Sequence, residues 1–168
     1  LVVLAADNAQ AALERHLSEN LRQETLLAAL AELLGLDEPP QRVEVYDNSH
    51  TAGTQMVGAM IVAGPEGFQK NAYRKFNIQA AKAGDDVGMM REVLTRRFRR
   101  AQESGDAGSL PGLVLIDGGK AQYNAARAVL EEMGIFDSVA LVAIAKGKDR
   151  NAGRETFVMA GRQPFQLP

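Results

Sequence analysis

Hydrophobic positions follow two different periods along the chain. Between Asn8 and Leu34 they recur three and four residues apart, at Leu13, Leu17 and Leu21 and then at Leu26, Leu27, Leu30, Leu33 and Leu34, the period of an amphipathic helix. Gly35 stands where a helix-terminating residue belongs, and Pro39–Pro40 beyond it form the best linker in the sequence. A helix of this length is uncommon, which leaves room for a break near Arg22–Gln23. After the prolines the pattern changes to short β-branched runs, Val43–Asp47, Val57–Val62 and Tyr73–Ile78, joined by glycine-bearing connections. In the third, Arg74, Phe76 and Ile78 alternate with Tyr73, Lys75 and Asn77, so one face is core and the other wet. Three consecutive strands with short connections predict an antiparallel meander.

A second helix begins at Asp85 or Asp86, acids suited to a helix N-terminus. Its Val87, Met90, Leu94 and Phe98 share one face and leave Arg96, Arg97 and Arg100 on or near the outer one. Strand Leu113–Asp117, helix Lys120–Met133 closed by Gly134, and strand Val139–Ala145 then alternate, a pattern that favours parallel strands joined by right-handed crossovers. Lys146 to Gly153 read as an exposed loop, and Glu155–Ala160 as a last short strand. The predicted class is α/β: a mixed sheet, antiparallel meander first and parallel β-α-β units after it, with flanking helices. A helical lead-in over residues 1–40 precedes a core over 41–168.

At 168 residues and 46% hydrophobic, the chain has room for one soluble domain with a real core. It has no cysteine, which excludes a disulfide framework, a thiolate metal site and a cysteine nucleophile. No apolar stretch approaches the roughly 20 residues that span a bilayer, and Leu1–Ala6 lacks the length and basic flank of a signal peptide. The chain opens mid-element at Leu1 and stops at Pro168 without a closing helix, so it reads as a fragment. A net charge of −2 does not announce a polyanion partner, but its distribution changes the picture. Five arginines lie between Arg91 and Arg100 against the single acid Glu92, and Lys70, Arg74 and Lys75 form another basic group. Such a face either steers toward a polyanion or is simply solvated.

The candidate chemistry rests on two aspartates, each closing an apolar run: Asp47 in VEVYDNSH and Asp117 in GLVLIDGGK. A carboxylate at the end of a buried strand is costly unless a cation meets it. Strands lie about 4.8 Å apart, so carboxylates on neighbouring strands can share one or two cations. Oxygen ligands of this kind suit Mg²⁺ or Mn²⁺ and phosphodiester hydrolysis. Asp-Gly-Gly is also an ordinary turn, so a purely structural role for Asp117 stays open. Lys120, after Gly118–Gly119 at a helix start, is placed to hold a phosphate, although the spacing is not that of a nucleotide-binding loop. His50 falls on the opposite strand face from Asp47 and reads as structural; His16 reads as surface or packing. Asp85 and Asp86 admit two readings, helix cap or third acidic contributor.

Taken together, YDNSHTAGT at 46–54, YRKFNI at 73–78, GDDVGMMREVLTRRF at 84–98, LVLIDGGKAQ at 113–122 and IAKGKDRNAGRETF at 144–157 resemble the UvrC family, the bacterial excision-repair endonuclease subunit. The resemblance spans roughly Arg42 to Pro168, with Leu1–Gly35 similar to the helical lead-in of that family. It implies a ribonuclease H-like, divalent-metal-dependent nuclease domain that makes the incision 5′ of a DNA lesion in nucleotide excision repair. Asp47 would be the first catalytic aspartate and metal ligand, Asp117 the second, and Asp86 a further acid tied to activity. Lys120, Arg96 and Arg97 would hold the DNA backbone. The implied cofactor is Mg²⁺ or Mn²⁺, the implied partners are damaged double-stranded DNA and a UvrB–DNA complex, with no membrane, and the implied location is the bacterial cytoplasm. Two departures stand out: Asn48 replaces the family's usual aliphatic residue, and the family's catalytic histidine would lie beyond Pro168. The family's DNA-binding helix-hairpin-helix module, its 3′-incising nuclease and its UvrB-docking segment likewise fall outside these residues, so weak cleavage by this stretch alone is expected. The alternative from another class is a non-catalytic nucleic-acid or protein binding module on the same scaffold, and a third is a small-molecule phosphoesterase with a closed pocket.

Overall fold

The computed structural model describes residues 2–51, 55–106, 109–147 and 154–167; the side chains of Val2, Ser49, His50 and Thr51 lie outside that description. Helix α1 runs from Val2 to Leu34 without a break, longer at its start than the apolar period predicts. The reason is local: the span holds neither glycine nor proline and is rich in Ala, Leu, Glu and Gln, the best helix formers. Gly35, at φ +68°, ends it. Only its last turns are packed. Leu27, Leu30 and Leu34 meet Val43, Leu113, Val142 and Phe157, whereas Leu13, Leu17 and Leu21 are exposed.

Among the described residues, seven strands make one mixed sheet: β1 (Val43–Thr51), β2 (Gln55–Gly64), β3 (Gly67–Phe68), β4 (Arg74–Asn77), β5 (Leu113–Asp117), β6 (Ala140–Ala145) and β7 (Thr156–Met159). The order is β3-β2-β1-β5-β6-β7, with β4 also on β2. β1, β2 and β4 are the antiparallel meander, and β1, β5 and β6 are parallel. The final strand reverses direction and pairs antiparallel with β6. Among the described residues no helix is long and apolar enough to cross a membrane.

The sheet separates two apolar layers. On one face Tyr46, Met60, Val114, Ile116 and Ala143 pack under α2 (Asp86–Glu103) and α3 (Lys120–Glu132). On the other, Val43, Leu113, Val142 and Phe157 pack under the end of α1. Strand periodicity assigns every second residue of β1 and β5 to each layer. Gly58 lets α2 approach closely, because a Cβ there would sit 2.5 Å from Val93 Cγ2 and 3.0 Å from Asn48 Oδ1. Asp85 caps α2 by accepting from the Gly88 N–H at 2.8 Å. Glu92 ties down the segment before that helix, accepting from the N–H groups of Gln79, Ala80 and Ala81 at 2.7, 2.9 and 3.1 Å.

Candidate active site

Parallel pairing of β1 with β5 sets Tyr46 beside Ile116. The next residue on each strand is an aspartate, so Asp47 and Asp117 come level across one strand gap of about 4.8 Å. Both share the parity of Val43 and Leu113 and therefore project on the α1 face, at the carboxyl ends of the parallel strands. The helix itself covers only the opposite ends of those strands, which leaves the carboxylates open: Asp47 is exposed and Asp117 half-buried. Openings at the carboxyl ends of parallel strands are the usual seat of ligands in α/β sheets.

A cation from the third strand completes the group. Ile144 of β6 pairs with Asp117, and two residues later Lys146 has the same facing, its Nζ donating to Asp117 Oδ2 at 2.9 Å. Partial burial raises the Asp47 pKa above the ordinary carboxylate value, and the charge of Asp117 raises it further, while Lys146 and the Asn48 backbone N–H pull the other way. Lys146 was not among the residues singled out from the sequence. Its signal was a lysine one step past a strand of the right parity, legible only once β6 is known to lie beside β5.

Other predicted site residues are distributed around this pair. Lys120 is exposed at the first turn of α3, three residues after Asp117, where the Gly119 N–H donates to Gln122 Oε1 at 3.1 Å. Asp86 opens α2, which covers the opposite face of the sheet, and among the described residues no group of three or more acids or histidines gathers at a metal-binding distance. Arg96 is exposed, donates to Asn77 O at 2.7 Å and lies over the Phe76 ring. Arg97 departs from the outer-face expectation. It points inward, donating to Glu44 Oε1 at 2.7 Å and to Ser109 O at 2.8 Å. The reason is Glu44, fully buried on β1, which also accepts from Arg42 Nε at 2.9 Å and from the Tyr46 hydroxyl. The expectation for the His50 side chain lies outside the described residues.

A family model described as the UvrC RNase H endonuclease domain matches residues 31–168. The chain belongs to that family. UvrABC system protein C of Paramagnetospirillum magneticum is 58% identical over 172 residues, covering 99% of this chain and 27% of that protein. The protein of the same description from Hyphomonas neptunium is 56% identical over 174 residues, covering 100% and 28%. The chain thus spans under a third of the length of these UvrC relatives. Among solved structures, Ciona intestinalis endonuclease V bound to an inosine-containing 23mer DNA gives a TM-score of 0.47 at 14% identity, over 80% of this chain and 58% of that one. The catalytic domain of human endonuclease V gives 0.45 at 21%, over 80% and 59%. The UvrC family model and the sheet order agree on a ribonuclease H-like mixed sheet with helices on both faces.

Proposed function

We propose that residues 41–168 form a divalent-metal-dependent DNA endonuclease domain, led in by residues 1–40, that makes the 5′ incision at a lesion during nucleotide excision repair. The observation that carries this reading is the level pair Asp47 and Asp117 on one sheet face. Their donor set is oxygen only, which fits Mg²⁺ or Mn²⁺, and the raised Asp47 pKa reflects partial burial first and repulsion from Asp117 second, both of which a bound cation would offset. Asp47 and Asp117 would hold the ion, which supplies Lewis acidity to phosphodiester hydrolysis. Lys146 steadies Asp117 in the metal-free protein. Lys120, exposed at the same end of the sheet, would bind the backbone near the cut. Arg97, held by Glu44 and Ser109, supports the scaffold more directly than a DNA contact. Asp86 acts through the start of α2 and not as a ligand of the pair. The relatives are named for the UvrABC system, which supports damaged duplex DNA and UvrB as partners and a bacterial cytoplasmic setting.

The test is incision of a lesion-bearing duplex by the full-length protein in the presence of UvrB. Asp47→Asn and Asp117→Asn are each expected to lower Mg²⁺- or Mn²⁺-dependent 5′ incision at least 100-fold, while DNA binding persists. Normal incision by both variants would remove the metal-site assignment.

A further inference from the structure

Among the described residues, the most concentrated positive charge is not at the carboxylate pair. A cavity of about 780 Å³ opens between β4 and the second half of α2, and seven basic side chains line it. Two exposed acids, Glu103 and Asp106, lie at its rim. In a chain of net charge −2 this is a strong local excess. Two of the bases, Arg42 and Arg97, form its floor and share the single carboxylate of buried Glu44. The other five, Arg74, Lys75, Arg96, Arg99 and Arg100, are all exposed. Arg96 is braced on the Phe76 ring and Arg74 on the carbonyls of Asn71 and Tyr73, so their forks are held in place.

The groove cannot serve the same phosphate as Asp47. Phe76 stands opposite Gly58, which stands opposite Asn48, and Arg42 lies six residues before Asn48. The groove therefore runs back from the level of the carboxylates for about 20 Å along β1, on the α2 face instead of the α1 face; Lys75 alone, opposite Ala59 and through it Asp47, stands at its edge with the parity of the carboxylate face. A strand of duplex DNA carries a charge every 3.4 Å or so of axis, so about 20 Å presents roughly six phosphates. Four of the five exposed bases are arginine, whose planar fork pairs with two phosphate oxygens at once.

We propose that this groove is a second nucleic-acid site, which grips the phosphodiester backbone of duplex DNA at a stretch remote from the incision. The assignment rests on the nucleic-acid reading above and adds a place and a set of residues to it. Anchoring a flanking stretch fixes the duplex against the domain while the carboxylate pair meets the scissile phosphate elsewhere.

The experiment is fluorescence anisotropy of this chain with a labelled, undamaged 20-base-pair duplex between 50 and 200 mM salt. Arg99→Glu combined with Arg100→Glu is compared with Arg15→Glu combined with Arg22→Glu, an equal charge change on the exposed part of α1, with unchanged melting temperature verifying both folds. The groove variant is expected to weaken binding at least tenfold and to reduce the slope of log affinity against log salt by about two. Equal binding by the two double variants would overturn the proposal. So would a groove variant that keeps its DNA affinity and loses binding only to a poly-glutamate peptide, because the groove would then be a protein-docking site. Asp47→Asn separates the two readings: it should bind DNA with the wild-type salt slope whether or not it still incises.

Discussion

Asp47 and Asp117 face each other across a single strand gap, and Lys146 supplies a positive charge against their repulsion. That ion pair is exposed, with Lys146 at 67% and Asp117 at 32% side-chain accessibility, so it is worth at most about 1 kcal/mol and cannot hold the site closed. The balance is legible in the titration of Asp47. Its pKa stands above the ordinary value because partial burial and then Asp117 disfavour the anion. In sign, the folded state holds the proton more tightly than the unfolded chain. The favourable contribution is therefore full below the unfolded pKa and is lost as pH rises through the raised folded one. Carboxyl ¹³C titration in metal-free buffer should find Asp47 above its unfolded value, lower in Asp117→Asn and higher still in Lys146→Met. An Asp47 midpoint that ignores both substitutions would mean that the two carboxylates do not sense each other.

At the scale of elements, most of the architecture was legible because each run carries its own punctuation. The boundaries of β5 match the sequence reading because four apolar residues end at Asp117 and two glycines. Gly134, at φ +70°, stops α3 where it was expected. The hairpin was harder to read: β1 continues through Asp-Asn-Ser to Thr51, four residues beyond the predicted end, because pairing with β2 overrides the weak strand preference of those residues. That extension carries Asn48 under α2. Among the described residues, both atoms of its amide are buried without a hydrogen-bond partner, beside Gly58 and Val93. A buried amide without a partner destabilises by about 1–3 kcal/mol, and valine has a similar volume and a better strand preference. Asn48→Val should therefore stabilise the chain by about 1 kcal/mol and raise its melting temperature by about 2–4 °C. A lower melting temperature would show that the amide has a partner in solution.

Across the whole molecule, one charge joins parts of the chain that no local pattern connects. In Val43-Glu44-Val45-Tyr46 the alternation suggests that Glu44 and Tyr46 share the wet face, yet both are fully buried beneath α2. Glu44 is tolerable there because Arg42 enters from the residues before β1, Arg97 from α2, and Tyr46 from the same strand. Arg97 in turn donates to Ser109 O in the connection to β5, so a single carboxylate ties β1 and α2 to the strand that bears Asp117. The 53-residue separation of Glu44 and Arg97 is why the sequence offered an arginine-rich helix and gave no sign of which arginine turns inward. Glu44→Gln keeps the shape and removes the charge, leaving Arg97 buried against a neutral amide. Breaking a buried ion pair from one side costs about 3–5 kcal/mol, equivalent to a fall of roughly 6–20 °C in melting temperature for a chain of this size. Thermal denaturation followed by circular dichroism measures it directly. The loss should exceed that of Arg127→Gln, which breaks only the exposed pair with Glu131. If the two variants melted alike, Glu44 would be an incidental buried acid, and the floor of the basic groove would have to be held by packing alone.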